Sequence, residues 1–216
     1  LLDQKLLSYI EELIPQRDPL VAEMEEYAAI HHVPIMELTG IEAMLQLLRV
    51  HRPANILEIG TAIGYSALRM AMTLPDARIV TIERNDERYV SACEFISRSN
   101  HQEQIVLLQG DALELEDTVS SFAPFDAIFI DAAKGQYQKF FSIYSKHLNG
   151  DGMIITDNVL FKGLVAEEEI DSKRTRNLVR KIADFNRWLM NHPDYDTVIL
   201  PVGDGVAISK KRGESK

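Results

Sequence analysis

The chain has 216 residues, 46% of them hydrophobic, with a formal net charge of −10 and a pI near 5.1. These figures suit a single domain with a full core over 1–216, and exclude nucleic-acid binding through bulk charge, leaving only a local basic face for such a role. No apolar run reaches membrane-spanning length, and no basic-then-apolar signal sequence opens the given chain.

Residues 1–14 read as an amphipathic helix with Leu2, Leu6, Ile10 and Leu13 on one face, broken by Pro15 and Pro19. A second helix is expected over 20–32, before Val33-Pro34. A third is capped at Thr39 or Gly40, with Ile41, Met44, Leu45 and Leu48 inward. This helical segment, 1–52, leads into an alternating core over 53–211. Strands are expected at 55–59, 78–83, 104–109, 125–130 and 152–156, with helices at 64–74, 86–99, 111–120 and 135–147 between them. The single cysteine, Cys93, sits in one of these helices and cannot form an internal disulfide, so the cytoplasm is the expected compartment. After 157 the acidic run Ala166-Glu167-Glu168-Glu169 precedes a helix over about 173–191. Tyr195–Leu200 and Val206–Ser209 then form a hairpin around Gly203-Asp204-Gly205. The tail from Lys210 is expected to fray. The βα alternation predicts an α/β fold: a seven-stranded, mostly parallel sheet, its last two strands antiparallel, with helices on both faces.

The chain is organised around Asn55-Ile56-Leu57-Glu58-Ile59-Gly60-Thr61-Ala62-Ile63-Gly64-Tyr65-Ser66. A buried strand ends here, turns through two glycines and enters a helix whose free N–H groups suit a carboxylate or phosphate. The spacing is G-x-x-x-G, not the G-x-G-x-x-G of dinucleotide sites. Glu58 is positioned to bind a ligand ammonium. The stretch is similar to the first motif of S-adenosylmethionine (SAM) dependent methyltransferases; the alternative is a generic turn of a doubly wound fold. Ligands of such folds lie beyond the carboxyl ends of the strands. Glu83 ends the second strand, 23 residues after Gly60, near the spacing of ribose-binding acids; otherwise it is a solvated turn acid. At Gly110-Asp111-Ala112 the turn can hold adenine, cap a helix, or both.

Asp131 ends the fourth strand, and Asp157-Asn158 ends the fifth. If those strands are neighbours, two carboxylates and an amide oxygen converge on an all-oxygen site. Such a set suits Mg²⁺, or Ca²⁺ or Mn²⁺, rather than zinc. Lys134 stands one turn beyond Asp131, as a general base or as a surface lysine.

Together these motifs resemble the cation-dependent O-methyltransferase family that includes catechol and caffeoyl-CoA O-methyltransferases. The resemblance runs from about Pro34 to Lys211. Its most specific pieces are Leu57–Gly60 with Gly64-Tyr65-Ser66, Phe129–Tyr137, Asp157–Leu160 and Leu200–Gly205. It implies a Rossmann-like class I methyltransferase fold, metal ligands at Asp131, Asp157 and Asn158, and a catalytic Lys134. It also implies SAM contacts at Glu58, Gly60, Ser66, Glu83, Ala112 and Asp131, with a backbone contact near Met36. One departure is Ala133, where many relatives carry Asp; that position is not a ligand in the pattern. The N-terminal helices also lack the plant members' substrate segment, which weighs against a CoA thioester.

Among bacterial members the chain is most similar to tRNA 5-hydroxyuridine methyltransferases, which act at the wobble position of the anticodon loop. The N-terminal apolar helix suggests a homodimer, since bacterial relatives commonly pair, or else it caps its own sheet. Lys173, Arg176 and Arg180 share a helix face that, with Arg174, Lys181, Lys162 and Lys210-Lys211-Arg212, can contact phosphates or stay solvated. The alternatives are a small catechol-like acceptor with the same chemistry, a nicotinamide-dependent oxidoreductase, and a non-catalytic SAM-binding module. The G-x-x-x-G spacing argues against the second. The intact ligand set with Lys134 argues against the third.

Overall fold

The computed structural model describes residues 3–213. Three helices lead: α1 (Gln4–Leu13), α2 (Pro19–His31) and α3 (Leu38–His51). Then β1 (Asn55–Ile59), β2 (Arg78–Glu83), β3 (Ile105–Gln109), β4 (Phe125–Ile130) and β5 (Leu148–Thr156) alternate with α4 (Tyr65–Thr73), α5 (Asp86–Ser97), α6 (Glu116–Ser120) and α7 (Tyr137–Tyr144). The long helix α8 (Lys173–Met190) precedes the hairpin β6 (Tyr195–Leu200) and β7 (Val206–Lys211). The sheet runs β3-β2-β1-β4-β5-β7-β6. Its first five strands are parallel, and β7 is antiparallel to both its neighbours. Strand order reverses between β1 and β4, which opens a crevice at their carboxyl ends.

The central strands are apolar on both faces because helices cover both. Ile56, Ile79, Phe129 and Ile155 pack with Val21, Met24, Met44, Leu68 and Phe95 of α2 to α5. Leu57, Val80, Ile128 and Ile154 pack with Val119, Phe141, Phe185 and Leu189 of α6 to α8. The leading helices α2 and α3 thus share the core of the sheet. Among the described residues, no helix is long and apolar enough to cross a membrane.

Several local expectations are corrected. In α1, Leu7 and Ile10, with Ile14 just past its end, are half-buried, whereas Leu6, Tyr9 and Leu13 are exposed; Leu2 lies outside the described residues. Helix α3 begins at Leu38, so Thr39 and Gly40 sit inside its first turn rather than capping it. Gly40 is placed there to let the hairpin approach: a Cβ on it would lie 3.5 Å from the Gly203 Cα. The expected helix over 111–120 is reduced to α6, because Asp111 holds a turn instead, its carboxylate accepting the Leu113 N–H (2.9 Å) and its carbonyl the Glu114 N–H (2.9 Å). Strand β5 starts at Leu148, opposite Phe125, and then bulges before Met153 pairs with Ala127. The tail does not fray at Lys210. Lys210 and Lys211 pair in β7 with Met153 and Tyr195, and Arg212 bonds Asp196 (2.9 Å).

Candidate active site

The crevice holds a cavity of about 280 Å³ lined by the ends of β1 to β5, with Gly60, Glu83, Asp111, Ala112, Asp131, Lys134, Asp157 and Asn158 in its wall. Its first wall is the β1 turn. Gly60 adopts φ 104°, and a Cβ there would lie 2.0 Å from the Asp131 carbonyl oxygen, so the approach of β1 to β4 requires glycine. Gly64 caps α4 at φ 88°. Glu83 ties the turn to β2: its carboxylate accepts the N–H of Ala62 and of Asn85, both at 2.8 Å. A carboxylate has further lone pairs, and those of Glu83 remain available to a ligand hydroxyl.

Glu58 is placed differently from expectation. It is fully buried beneath the turn, and its two oxygens accept the Ser66 and Thr81 hydroxyls. Thr81 is bonded in turn to Thr61 at 2.6 Å. Glu58 and Ser66 therefore anchor the turn from below, while Ile59, Gly60 and Ala62 line the cavity. Burial pushes the Glu58 carboxyl up to about 7, against the pull of the two hydroxyls. The Met36 side chain is buried, packed under Gly40, and the residues just before it, Pro34 and Ile35, line the cavity.

The second wall is where β4 and β5 end. Ile130 pairs with Thr156, and the Asp157 N–H bonds the Ile130 carbonyl (3.1 Å), so Asp131 and Asp157 leave adjacent strands side by side. Asn158 follows at φ 58°, its Nδ2 donating to Asp157 Oδ2 (3.1 Å). The Lys134 ammonium donates to Asn158 Oδ1 and lies 5.8 Å from the centre of the Phe161 ring. Burial raises the Asp131 carboxyl, with Lys134 opposing and Asp204 adding to the rise. Asp157 is raised by burial first and by Asp131 next.

This corner fits a divalent cation. Asp157 Oδ1 is buried with no hydrogen-bond partner, an arrangement costly for a carboxylate unless a cation completes it. Among the described residues, no three His, Cys, Asp or Glu side chains cluster as metal ligands. The donor set here is two carboxylates and one amide oxygen, all hard, with room left for exogenous oxygens.

A family model described as O-methyltransferase matches residues 11–212. The chain belongs to the O-methyltransferase family. It is 30% identical over 218 residues to the caffeoyl-CoA O-methyltransferase of Eucalyptus gunnii, covering 95% of this chain and 87% of that protein. A Staphylococcus aureus protein provisionally named a caffeoyl-CoA O-methyltransferase superposes with a TM-score of 0.88 at 37% identity, covering 97% of this chain and 98% of that one. A Bacillus cereus O-methyltransferase solved with S-adenosylhomocysteine superposes at 0.81 with 26% identity, covering 95% and 96%. This O-methyltransferase is accordingly SAM-dependent. Sequence reasoning gave no role to Asp204, whose buried carboxylate accepts the Lys162 N–H from the β6–β7 turn. The Gly203-Asp204-Gly205 turn signal and the Leu200–Gly205 piece of the resemblance both marked it, and neither says which strands it abuts.

Proposed function

We propose that this O-methyltransferase is a cytoplasmic, Mg²⁺-dependent enzyme that methylates 5-hydroxyuridine at the wobble position of tRNA, giving 5-methoxyuridine. The observation carrying the metal-dependent part is the buried, partnerless Asp157 Oδ1 beside Asp131 and Asn158. These three side chains would hold the cation, Mg²⁺ or else Ca²⁺ or Mn²⁺. Bound there, the ion supplies a Lewis acid that lowers the pKa of a neighbouring hydroxyl. SAM supplies an electrophilic methyl group on a sulfonium. Glu83 would take the ribose, the Asp111-Ala112 turn the adenine and the Glu58–Gly64 turn the methionine end. Lys134 Nζ would serve as the general base for the acceptor's hydroxyl proton. Phe161 walls the acceptor ring from solvent. The protein's main contribution is alignment of acceptor oxygen and methyl group.

5-Hydroxyuridine suits this corner because its 5-hydroxyl and 4-carbonyl oxygens are adjacent, like the two oxygens of a catechol. Support for RNA comes from α8. Lys173, Arg174, Arg176, Arg180 and Lys181 are all exposed, and none is paired with a carboxylate among the described residues. The helix packs along 134–136 and 161–166, beside the segment that carries Lys134. Lys181 Nζ lies 3.6 Å from where a Cβ on Gly135 would sit, next to Lys134. By contrast, Lys210, Lys211 and Arg212 leave the proposed RNA surface. β7 runs away from the mouth, and four residues of strand put Lys211 about 14 Å beyond Ala207.

The relatives' caffeoyl-CoA names favour a second reading, a small catechol-like acceptor handled by the same residues. The proposal keeps a homodimer, with the exposed Leu6, Tyr9 and Leu13 stripe of α1 as the apolar face a second copy would cover. Nucleoside mass spectrometry of tRNA from a deletion strain tests the substrate. Loss of 5-methoxyuridine with accumulation of 5-hydroxyuridine is expected; unchanged 5-methoxyuridine would transfer the assignment to the small-molecule reading.

A further inference from the structure

The segment 158–163 carries three non-glycine residues in the left-handed region: Asn158 (φ 58°), Phe161 (φ 45°) and Lys162 (φ 57°), followed by Gly163 at 81°. Each such residue costs about 1–2 kcal/mol, so the conformation persists only where its surroundings impose it. The imposing element is the β6–β7 turn. The Val159 N–H donates to the Gly205 carbonyl and the Leu160 N–H to the Asp204 carbonyl, both at 3.0 Å. The Lys162 N–H donates to the Asp204 carboxylate itself. Gly205 makes this approach possible at φ 88°; a Cβ there would sit 2.3 Å from Leu160 Cγ and 2.8 Å from its backbone nitrogen. From the other side, Asn186 Nδ2 of α8 holds the Val159 carbonyl at 2.8 Å.

Asp204 is itself buried, only 8% exposed, beneath the 158–163 loop. Its bond to the Lys162 N–H gives it a definite task. That bond and the two carbonyl contacts fix both ends of a loop that begins with Asn158, bonded to Lys134, and continues to Phe161, whose ring lies over Lys134.

We propose that Asp204 is a positioning residue for the acceptor half of the active site. It sets the 158–163 loop so that the Asn158 amide oxygen points into the cation corner and the Phe161 ring closes the acceptor side. It acts through those residues and touches neither SAM nor the acceptor. The inference rests on the reading of Asp131, Asp157 and Asn158 as a cation site.

The test compares wild type with Asp204→Ala and Asp204→Asn. Mn²⁺ alone is titrated calorimetrically, SAM is titrated separately, and kcat and KM are measured with 5-hydroxyuridine-containing tRNA and with catechol. Asn keeps an oxygen that can accept the Lys162 N–H, whereas Ala does not. Asp204→Ala is expected to weaken Mn²⁺ by about tenfold, the lower end of the range for losing a group that orients a ligand, and to raise acceptor KM. Its SAM affinity should stay at the wild-type value, because the SAM wall is built by β1, β2 and β3. Asp204→Asn is expected to recover most of both losses. Equal losses in the two variants would mean that charge, not the hydrogen bond, is what Asp204 supplies, and would overturn the proposal. So would unchanged Mn²⁺ affinity and KM in Asp204→Ala, or a parallel loss of SAM binding in both. If Asp204→Ala does not fold, Gly205→Ala replaces it, since it displaces the same loop and leaves the carboxylate. Failure of wild type to bind Mn²⁺ at all would instead sink the cation site, and this inference with it.

Discussion

Glu58 offers a test of the β1 turn that needs no substrate. Its carboxyl is fully buried, and burial moves it from 4.5 to about 7. The folded protein therefore holds this proton more tightly than the unfolded chain does. For an acid raised in this way, the group costs nothing below the unfolded value, and stability falls as pH rises from 4.5 to 7, levelling off above. The displacement corresponds to about 3 kcal/mol at about 1.36 kcal/mol per pH unit. Between about pH 5.5 and 8.5, roughly 2 kcal/mol of that loss should be observable. Glu58→Gln removes the ionisation and keeps a side chain that Ser66 and Thr81 can still bond. Urea unfolding of both proteins, without SAM, should give stabilities that diverge with pH, the variant gaining about 2 kcal/mol on wild type across the range. Other buried acids contribute equally to both proteins and cancel in the difference. Parallel pH profiles would show that Glu58 is ionised at little cost, and would refute the picture of a carboxyl sealed beneath the turn.

Further outcomes are expected from the same geometry. Glu83→Ala should weaken SAM by about 1–3 kcal/mol, the range for hydrogen bonds to a charged group, and unchanged affinity in calorimetry would move the ribose elsewhere. Ala at Asp131, Asp157 or Asn158 should suppress turnover, as should chelator, with Mg²⁺ restoring wild type; full activity in excess EDTA would end the metal proposal. Replacing Arg174, Arg176 and Arg180 together by Ala should weaken tRNA methylation and reduce its salt dependence by about one unit of slope for each phosphate no longer neutralised, while any catechol turnover stays intact. Equal loss on both substrates would mean that the fold was damaged. Gly60→Ala should destabilise the protein and lower SAM affinity, because its Cβ would meet the Asp131 carbonyl at 2.0 Å; a normal melting temperature would contradict that crowding.

Much of this molecule is written locally in its chain. The central strands are legible because each is a short apolar run closed by turn residues, and β1, β2 and β4 begin and end where those runs do. The residues at their ends, Gly60, Glu83, Asp131 and Asp157, are legible for the same reason, since the carboxyl end of a strand is a position in the sequence before it is a place in space. Tertiary structure decided the rest. Whether Asp131 and Asp157 meet depends on β4 and β5 being neighbours in register, a long-range pairing that no local pattern encodes. Whether Glu58 faces a ligand or the interior depends on Ser66 and Thr81 arriving from α4 and β2 to take both its oxygens. The inward face of α1 depends on α3, and the fate of Lys210 and Lys211 on two strands distant in sequence. Asp204 reaches the site only because β7 inserts antiparallel between β5 and β6. Local propensity and periodicity act over a few residues and fix the elements. Which side chains meet is set by the pairing of elements far apart along the chain, driven by burial of their shared apolar faces.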